Sequence, residues 1–285
     1  MANIVVVGGT GTVGTAVVYQ LLKDGHQVRL LTRNLGKAVA KFGEKVEIVQ
    51  GDVMNSQNVE DALEGMDAVF SSLSSPPGKK NINLTEYSGN LTVIESCKLR
   101  NVKRIIYVSA LNAEYFAGYY RFFIKYRVEE ELKISGLSYT IFRPTLFMET
   151  IPKFVDKGRA VIYGEQPHPI NFLAVSDFAV MVSNSIGKID CVGKTFDVLG
   201  PEALTLDTVL GMYKRYRRPN LKVTHSSPRW GQILRLVQLS SRPEFSELVT
   251  LMTELRQTPQ KADPSLTNSL LGAPTTRFHD WLLSL

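Results

Sequence analysis

The chain has 285 residues, of which 44% are hydrophobic and 21% are charged, and its formal net charge at pH 7 is +6. This length and composition indicate a globular protein with one large or two modest domains and enough apolar residues for a core. No apolar run approaches the roughly 18 residues that a membrane-spanning helix needs, and the first residues lead directly into a strand, so we expect neither a membrane span nor a signal peptide.

The mild positive charge suits an anionic ligand but does not require one. The two cysteines, Cys97 and Cys191, are far apart and lack the spacing of a metal or redox motif. We therefore expect reduced thiols, no metal site and a cytoplasmic location.

A glycine-rich turn lies between the first predicted strand and the first predicted helix. Residues 4–7 are apolar and β-branched, which indicates a buried strand, and an apolar stripe of helical period begins at Val13. Between them, GGTGTVG at 8–14 fits both the G-x-G-x-x-G and the G-x-x-G-x-x-G spacing. Such glycines permit a tight turn, let backbone amides approach a pyrophosphate at the positive end of the helix, and allow the helix to pack closely on the strand. We interpret this turn as a dinucleotide site; the alternative is a flexible turn between two core elements.

The residues after the second predicted strand, 26–32, distinguish between two cofactors. An NAD site usually has an acidic residue here for the adenosine ribose, whereas an arginine accommodates the 2′-phosphate of NADP. The sequence is Thr32-Arg33-Asn34, with Lys37 close behind and no acidic residue. It therefore favours NADP, with NAD as the second choice. The alternative for Arg33 is an ordinary surface cation.

The third and fourth strands are predicted at 45–50 and 67–72, separated by a short helix. Asp52 follows the third strand, where it can accept a hydrogen bond from the adenine amino group or cap the next helix. The loop SSLSSPPGKK at 71–80 leaves the fourth strand on the side where ligands bind in such folds.

The next segments continue the alternation: helix over 83–98, strand at 104–109, helix over 119–135, and strand at 138–143. Strand and helix thus alternate six times, which predicts an α/β fold of the Rossmann type with a doubly wound parallel sheet.

Two candidate catalytic residues belong to these segments. Ser109 ends the fifth strand and Lys125 lies on the next helix. A hydroxyl can polarise a carbonyl, and a lysine can hold the nicotinamide ribose and lower the pKa of a nearby acid. The alternatives are a turn cap for Ser109 and a surface position for Lys125.

Beyond residue 145 the pattern loosens. We predict a helix over 146–157, short strands at 160–163, 170–175 and 194–199, a helix over 177–186, and two or three final helices. We take 1–145 as the NAD(P)-binding domain and 146–285 as a smaller, mostly helical substrate or partner lobe, partly interwoven with the sheet. The cations of KRYRRPNLK at 214–222 fit a solvated face at least as well as a nucleic-acid site, and we expect no nucleic-acid partner.

Residues 1 to about 200 resemble the short-chain dehydrogenase/reductase superfamily in its atypical, NmrA-like branch. The matching segments are VVVGGTGTVG at 5–14, TRN after the second strand, GDV at 51–53, YVSA at 107–110, KYRVEEELKISGLSYTIFRPTLFME at 125–149 and INFLAVSDFA at 170–179. The long match at 125–149 is the most specific.

The resemblance implies a role for each residue at a matching position. Ser109 and Lys125 take the places of the catalytic serine and lysine. The others would hold the cofactor: Gly8, Thr10, Gly11, Thr12 and Val13 at the pyrophosphate, Arg33 at the adenosine phosphate, Asp52 and Val53 at the adenine, Ser72 and Leu73 at the ribose, and Pro144, Thr145 and Phe147 over the nicotinamide.

One position departs from the superfamily's Y-x-x-x-K motif, in which the tyrosine is the acid. Arg121 stands four residues before Lys125, and Tyr120 and Tyr119 stand five and six before it. At about 100° per residue, only the fourth residue back shares the face of the lysine. The usual proton donor is therefore missing. In the NmrA-like branch, such a loss is compatible with reductases and also with dinucleotide-binding regulators or assembly factors.

The sequence thus supports two hypotheses. The first is an NADP-dependent oxidoreductase that transfers hydride to a small, largely apolar carbonyl or quinone-like substrate, because a quinone needs less help from a protein acid than a ketone. The alternative is a non-catalytic NADP(H) sensor, regulator or assembly factor that acts through a protein partner.

Overall fold

A parallel β-sheet forms the centre of the molecule. The computed structural model describes residues 1–115, 118–238 and 243–285. The strands are β1 (Asn3–Val7), β2 (Gln27–Thr32), β3 (Glu47–Gln50), β4 (Ala68–Ser71), β5 (Arg104–Val108), β6 (Ser138–Pro144), β7 (Arg159–Tyr163), β8 (Lys194–Val198) and β9 (Lys222–Ser226). Seven of them form one sheet in the order β3-β2-β1-β4-β5-β6-β8. The order reverses between β1 and β4, and ligands of such folds bind outside the carboxyl ends of the strands at that point.

The helices connect these strands or follow them. They are α1 (Thr12–Lys23), α2 (Leu35–Phe42), α3 (Ser56–Leu63), α4 (Lys79–Asn81), α5 (Gly89–Leu99), α6 (Tyr120–Ile134), α7 (Val175–Ser185), α8 (Leu206–Arg217), α9 (Pro228–Gln238), α10 (Pro243–Gln257), α11 (Ser265–Leu271) and α12 (Phe278–Ser284). A π-helical segment, Ile82–Ser88, connects α4 to α5.

Both faces of the sheet are covered, which explains why its strands are apolar runs rather than alternating patterns. Successive residues of β1 point to opposite faces. Ile4 and Val6 pack in one buried cluster with α1 and α7, and Val5 and Val7 pack in another with α3, α5 and α6. The predicted α/β fold with a doubly wound parallel sheet is confirmed.

The chain beyond residue 145 contributes both to this sheet and to a separate core. β8 pairs in parallel with β6, from Thr140 opposite Lys194 to Pro144 opposite Val198. β7 and β9 form a two-stranded parallel sheet. Around it, a third buried cluster joins residues 148–174 to α8, α10 and α12. The domain boundary near residue 145 stays a prediction.

The helical segment predicted at 146–157 is a shorter 3-10 helix, Met148–Phe154, because Pro152 lacks the N–H that a regular helix needs there and disfavours α geometry before it. Two other sequence-based predictions in this region are wrong. Residues 170–175 make isolated bridges at Ile170 and Leu173, and α7 already begins at Val175. The described residues after β8 form β9 and the five helices α8–α12, more than the predicted two or three helices.

In the described part of the chain, none of the helices combines the length and the apolar character that crossing a membrane requires.

Candidate functional site

The glycine turn brings three elements into close contact at the carboxyl end of β1. Gly8 has φ +82°, and a Cβ there would lie 2.6 Å from the backbone oxygen of Ser72, just after β4. A Cβ at Gly14 would lie 2.4 Å from the backbone oxygen of Gly8 and 2.6 Å from the Cα of Gly9. Glycine is therefore needed at both positions for α1 to begin directly against β1 and β4.

The same turn leaves the start of α1 available to a ligand. Gly11 occupies the N-cap and supplies no side-chain cap, and its own amide donates to the backbone oxygen of Gly8 at 3.1 Å. Helix N-termini with uncapped amides attract phosphate groups. The predicted pyrophosphate residues, Gly8, Thr10, Gly11, Thr12 and Val13, all lie in this turn or in the first turn of α1.

Arg33 and Asp52 lie side by side after β2 and β3. Their side chains are 64% and 42% exposed, and the Nη1 atom of Arg33 is 3.9 Å from the Oδ2 atom of Asp52. Asp52 does not cap α3; that alternative is wrong, because Asn55 holds the N-cap and accepts from the amide of Asn58. Asp52 instead accepts from the amide of Met54 at 3.0 Å through its Oδ1 atom, and its Oδ2 atom faces Arg33. Val53 is buried beside it.

Two buried serine hydroxyls follow neighbouring strands, Ser72 after β4 and Ser109 after β5. Neither Oγ atom has a hydrogen-bond partner in the described part of the chain. Because nearly all buried polar groups are hydrogen-bonded, these two hydroxyls suit a bound polar group at this edge of the sheet. Leu73, next to Ser72, is buried.

Lys125 extends from α6 to the end of β5. It is half-buried, and its Nζ atom donates to the backbone oxygen of Val108 at 2.9 Å, next to Ser109. Burial lowers the pKa of Lys125 to about 7, the guanidinium of Arg121 lowers it too, and Glu129 acts in the opposite direction.

A buried ion-pair cluster fixes the next turn of α6. Arg143, near the end of β6, donates to both oxygens of the fully buried Glu129 and, at 2.9 Å, to Glu114. This cluster ties α6 to β6 and to the loop after β5, and so it fixes the helix that carries Lys125.

The position of the superfamily's tyrosine is occupied by Arg121, which contacts other protein groups. It pairs with Glu86 and with Glu247 on α10. Tyr119 is buried in the apolar cluster around β7, and burial raises its pKa. Tyr120 donates to the side chain of Asn83 at 3.0 Å. The hydroxyls of the two neighbouring tyrosines are thus not aimed at Lys125.

The residues after β6 are held by backbone bonds and by the C-terminal part of the chain. The backbone oxygen of Pro144 accepts from Leu111, and the amide of Thr145 donates to Val198. The ring of Phe147 packs edge-on against Phe178 of α7.

The contacts of the segment after α10 with this region were not foreseen from the sequence. The side-chain amide of Gln260 donates to the Oγ1 atom of Thr145, 115 residues away, and its oxygen accepts from the amide of Asn171. Asn112, after β5, donates to the backbone oxygen of Pro259. The segment after α10 therefore borders the carboxyl edge of the sheet, and no local sequence pattern signals this.

The structure brings most of the predicted site residues to one edge. The glycine turn, Ser72 with Leu73, and Ser109 follow β1, β4 and β5 in order. Lys125 reaches the end of β5 from α6, and Pro144 and Thr145 lie at the end of β6. Arg33 and Asp52 continue this edge on the β2–β3 side. Among the described residues, no group of histidine, cysteine or acidic side chains has the arrangement of a metal site. Cys97 and Cys191 are free and buried, and burial raises the pKa of Cys97 to about 12.

Comparison with known proteins adds the family. The family model described as NAD(P)H-binding matches residues 8–176, more than half of the chain. The photosystem II assembly factor Ycf39 of Trieres chinensis is 26% identical over 228 residues, which cover 78% of this chain and 71% of that protein. The (4-alkanoyl-5-oxo-2,5-dihydrofuran-3-yl)methyl phosphate reductase of Streptomyces griseus is 25% identical over 98% of this chain and 96% of that protein.

Among solved structures, an NADPH-dependent quinone oxidoreductase from Escherichia coli in complex with NADPH matches with a TM-score of 0.77. The match covers 99% of both chains at 22% identity. At this identity the likeness establishes a shared fold.

Proposed function

The chain belongs to the NAD(P)H-binding family of atypical short-chain dehydrogenase/reductases, and we propose that it is an NADP-dependent oxidoreductase acting on a small carbonyl or quinone-like substrate. The observation that carries this proposal is the convergence of the glycine turn with the unpartnered hydroxyls of Ser72 and Ser109 at one edge of the sheet. The choice of NADP rests on Arg33, whose exposed guanidinium follows β2, where an NAD site would have an acid.

The residues at this edge would bind the cofactor and polarise the substrate. The bound cofactor supplies the hydride. The amides at the start of α1 would hold its pyrophosphate, and the ammonium of Lys125 its nicotinamide ribose. The hydroxyl of Ser109 would donate to the substrate's carbonyl oxygen and stabilise the negative charge that develops there. Arg121 stands in the tyrosine position and is engaged by two carboxylates, so the proton that the reduced substrate needs would come from solvent water. A quinone suits such a site because its reduced oxygen is a weak base.

The test measures NADPH consumption in the presence of a panel of quinones and aldehydes, from the loss of absorbance of the reduced nicotinamide. We expect turnover with quinones, and we expect Lys125→Met and Ser109→Ala each to lower kcat/KM by about tenfold or more. Lys98→Met is the matched control, because Lys98 lies on the exposed face of α5 beside Glu95. Absence of NADPH binding to the unaltered chain in calorimetry would contradict the proposal.

A second candidate function is supported by Arg121 together with the Ycf39 relatives. Replacing the acid weakens catalysis and leaves cofactor binding intact, as a non-catalytic NADP(H) sensor or assembly factor requires. Tight NADPH binding without turnover on any substrate of the panel, together with a co-purifying protein, would favour this function over the first.

A further inference from the structure

Arg121 joins three segments that are distant in sequence. Its side chain is only 11% exposed. The guanidinium pairs with Glu86 in the π-helical segment, donates to the backbone oxygen of Ser75 at 3.1 Å, and contacts both oxygens of Glu247 at 3.2 Å. A planar guanidinium has five donors in a fixed arrangement and can bridge several acceptors in this way, whereas a lysine ammonium cannot match that geometry.

One of these segments is the loop that follows β4. Glu86 is 1% exposed, and its Oε1 atom accepts from both the amide and the hydroxyl of Ser75 at 2.9 Å. This loop begins with Ser72 and Leu73, the predicted ribose contacts. The π-helical geometry of residues 82–88 is rare and is found frequently at functional sites. Arg121 and Glu86 therefore fix the loop that borders the cofactor site.

The third segment is α10. A second acidic residue of α10, Glu254, packs against Gly118 before α6. The contact is so close that a Cβ at Gly118 would lie 2.1 Å from the Oε1 atom of Glu254. The chain after α10 then reaches Thr145 through Gln260. α10 and its continuation thus lie along the start of α6 and the end of β6, on the substrate side of the proposed cofactor site.

We propose that Arg121 is a positioning residue that couples the loop at residues 72–78 to α10, so that occupancy of the cofactor site and the docking of α10 stabilise each other. This inference rests on the proposed NADPH site. Arg121, which replaces the usual proton donor, thereby links the cofactor to the C-terminal part of the chain, where a substrate or a partner would bind. Coupling of this kind is reciprocal: if NADPH holds α10 in place, a loosened α10 must weaken NADPH binding.

The experiment measures amide hydrogen exchange of α10 with and without saturating NADPH, and NADPH affinity by calorimetry. In the unaltered chain we expect NADPH to slow exchange in α10. Arg121→Lys keeps the charge and loses the bridge, so it should abolish that slowing and raise the Kd for NADPH about tenfold. Arg100→Lys is the matched control, because the Arg100 guanidinium also pairs with a carboxylate, that of Glu60 on α3, which lies outside the three segments that Arg121 joins.

A second pair of variants keeps the inference falsifiable if Arg121→Lys folds poorly. Glu247→Gln should raise the Kd for NADPH, as Arg121→Lys does. The double variant with both substitutions should bind NADPH no more weakly than Arg121→Lys alone. Glu244→Gln, at the exposed start of α10, should leave the Kd unchanged. A merely structural role of Arg121 would lower stability without removing the cofactor-dependent change in α10.

Two failures are distinguishable. Unchanged α10 exchange in an unaltered chain that binds NADPH, or Kd values within about twofold for all variants, overturns the inference and leaves the proposed function standing. Loss of NADPH binding in every chain, the unaltered one and both controls included, overturns the proposed function and the inference with it.

Discussion

Arg33 is the exposed side chain on which the proposed preference for NADP rests. Its ion pair with Asp52 is long and solvent-exposed, and pairs of this kind contribute little. The guanidinium is therefore available for a 2′-phosphate, with which it would form charge-assisted hydrogen bonds.

We predict that Arg33→Ala raises the Kd for NADPH by about 10- to 100-fold, the equivalent of about 1.5–3 kcal/mol, and leaves the Kd for NADH unchanged. Calorimetric titration with both nucleotides measures this. Lys41→Ala removes the same charge from the far end of α2 and should affect neither nucleotide. Equal losses of both affinities would mean that Arg33 does not contact the 2′-phosphate.

Lys125 makes the free energy of unfolding depend on pH, and the sign of this dependence follows from the burial of its side chain. Its pKa is lowered to about 7 by burial and by Arg121, whereas the pKa of a lysine in the unfolded chain is about 10.4. Between those values the unfolded chain binds more protons than the folded one, so the contribution of this group to the free energy of unfolding rises with pH and is smallest below about pH 7.

We therefore predict that the unfolding free energy of the unaltered chain, relative to that of Lys125→Met, increases from about pH 7 to about pH 9. Urea denaturation of both chains across this range measures the difference. The corresponding difference for the exposed Lys98→Met should stay constant. A flat difference for Lys125→Met would show that its ammonium is not desolvated in the folded chain.

At the scale of elements, the sequence predicts what local patterns encode. The six alternating strands and helices up to residue 144 were recognisable because strands buried on both faces are apolar runs and α1 has a helical stripe. β9 was not recognisable, because KVTHS has one large apolar residue and its place depends on pairing with β7. The glycine turn was predictable for the same local reason, whereas the contacts of Arg121 with Glu247 and of Gln260 with Thr145 join residues more than a hundred positions apart.

Two helical glycines provide a matched test of how tightly α1 packs on the sheet. Gly14 and Gly211 both lie inside helices, but a Cβ at Gly14 would meet the backbone of Gly8, whereas a Cβ at Gly211 meets open space. We predict that Gly14→Ala destabilises the chain by about 1–3 kcal/mol and weakens NADPH binding, because the phosphate turn must shift. Gly211→Ala should stabilise it by about 0.4–1 kcal/mol through helix propensity. Denaturation curves and NADPH titrations check both. Similar effects at the two positions would refute the close approach at Gly14.

At the scale of the whole molecule, the C-terminal segment is a structural part of the site region rather than an appendage. The carboxylate of Asp177, in the first turn of α7, accepts from the amides of Thr275 and Thr276. Glu202 accepts from the amide of Phe278. Phe278 is fully buried, with its ring centroid 6.0 Å from that of Phe172, in the segment that leads from β7 to α7. The start of α12 and the residues just before it are thus held against α7, against Glu202 after β8 and against Phe172.

Phe278 is the residue on which this docking depends most. Truncation to alanine leaves a cavity between α12 and the 170–175 segment, and such losses cost about 3–5 kcal/mol. We predict that Phe278→Ala lowers the free energy of unfolding by this amount in a single cooperative transition, because the third core shares residues 148–174 with the region beside β6.

The control is Leu283→Ala, at a position that is 61% exposed on the same helix, which should change the free energy of unfolding by less than about 0.5 kcal/mol. Denaturation followed by both far-ultraviolet dichroism and tryptophan fluorescence measures this, since Trp281 lies beside Phe278. If the fluorescence transition of Phe278→Ala separated from the dichroism transition, the C-terminal helix would be an independently unfolding unit.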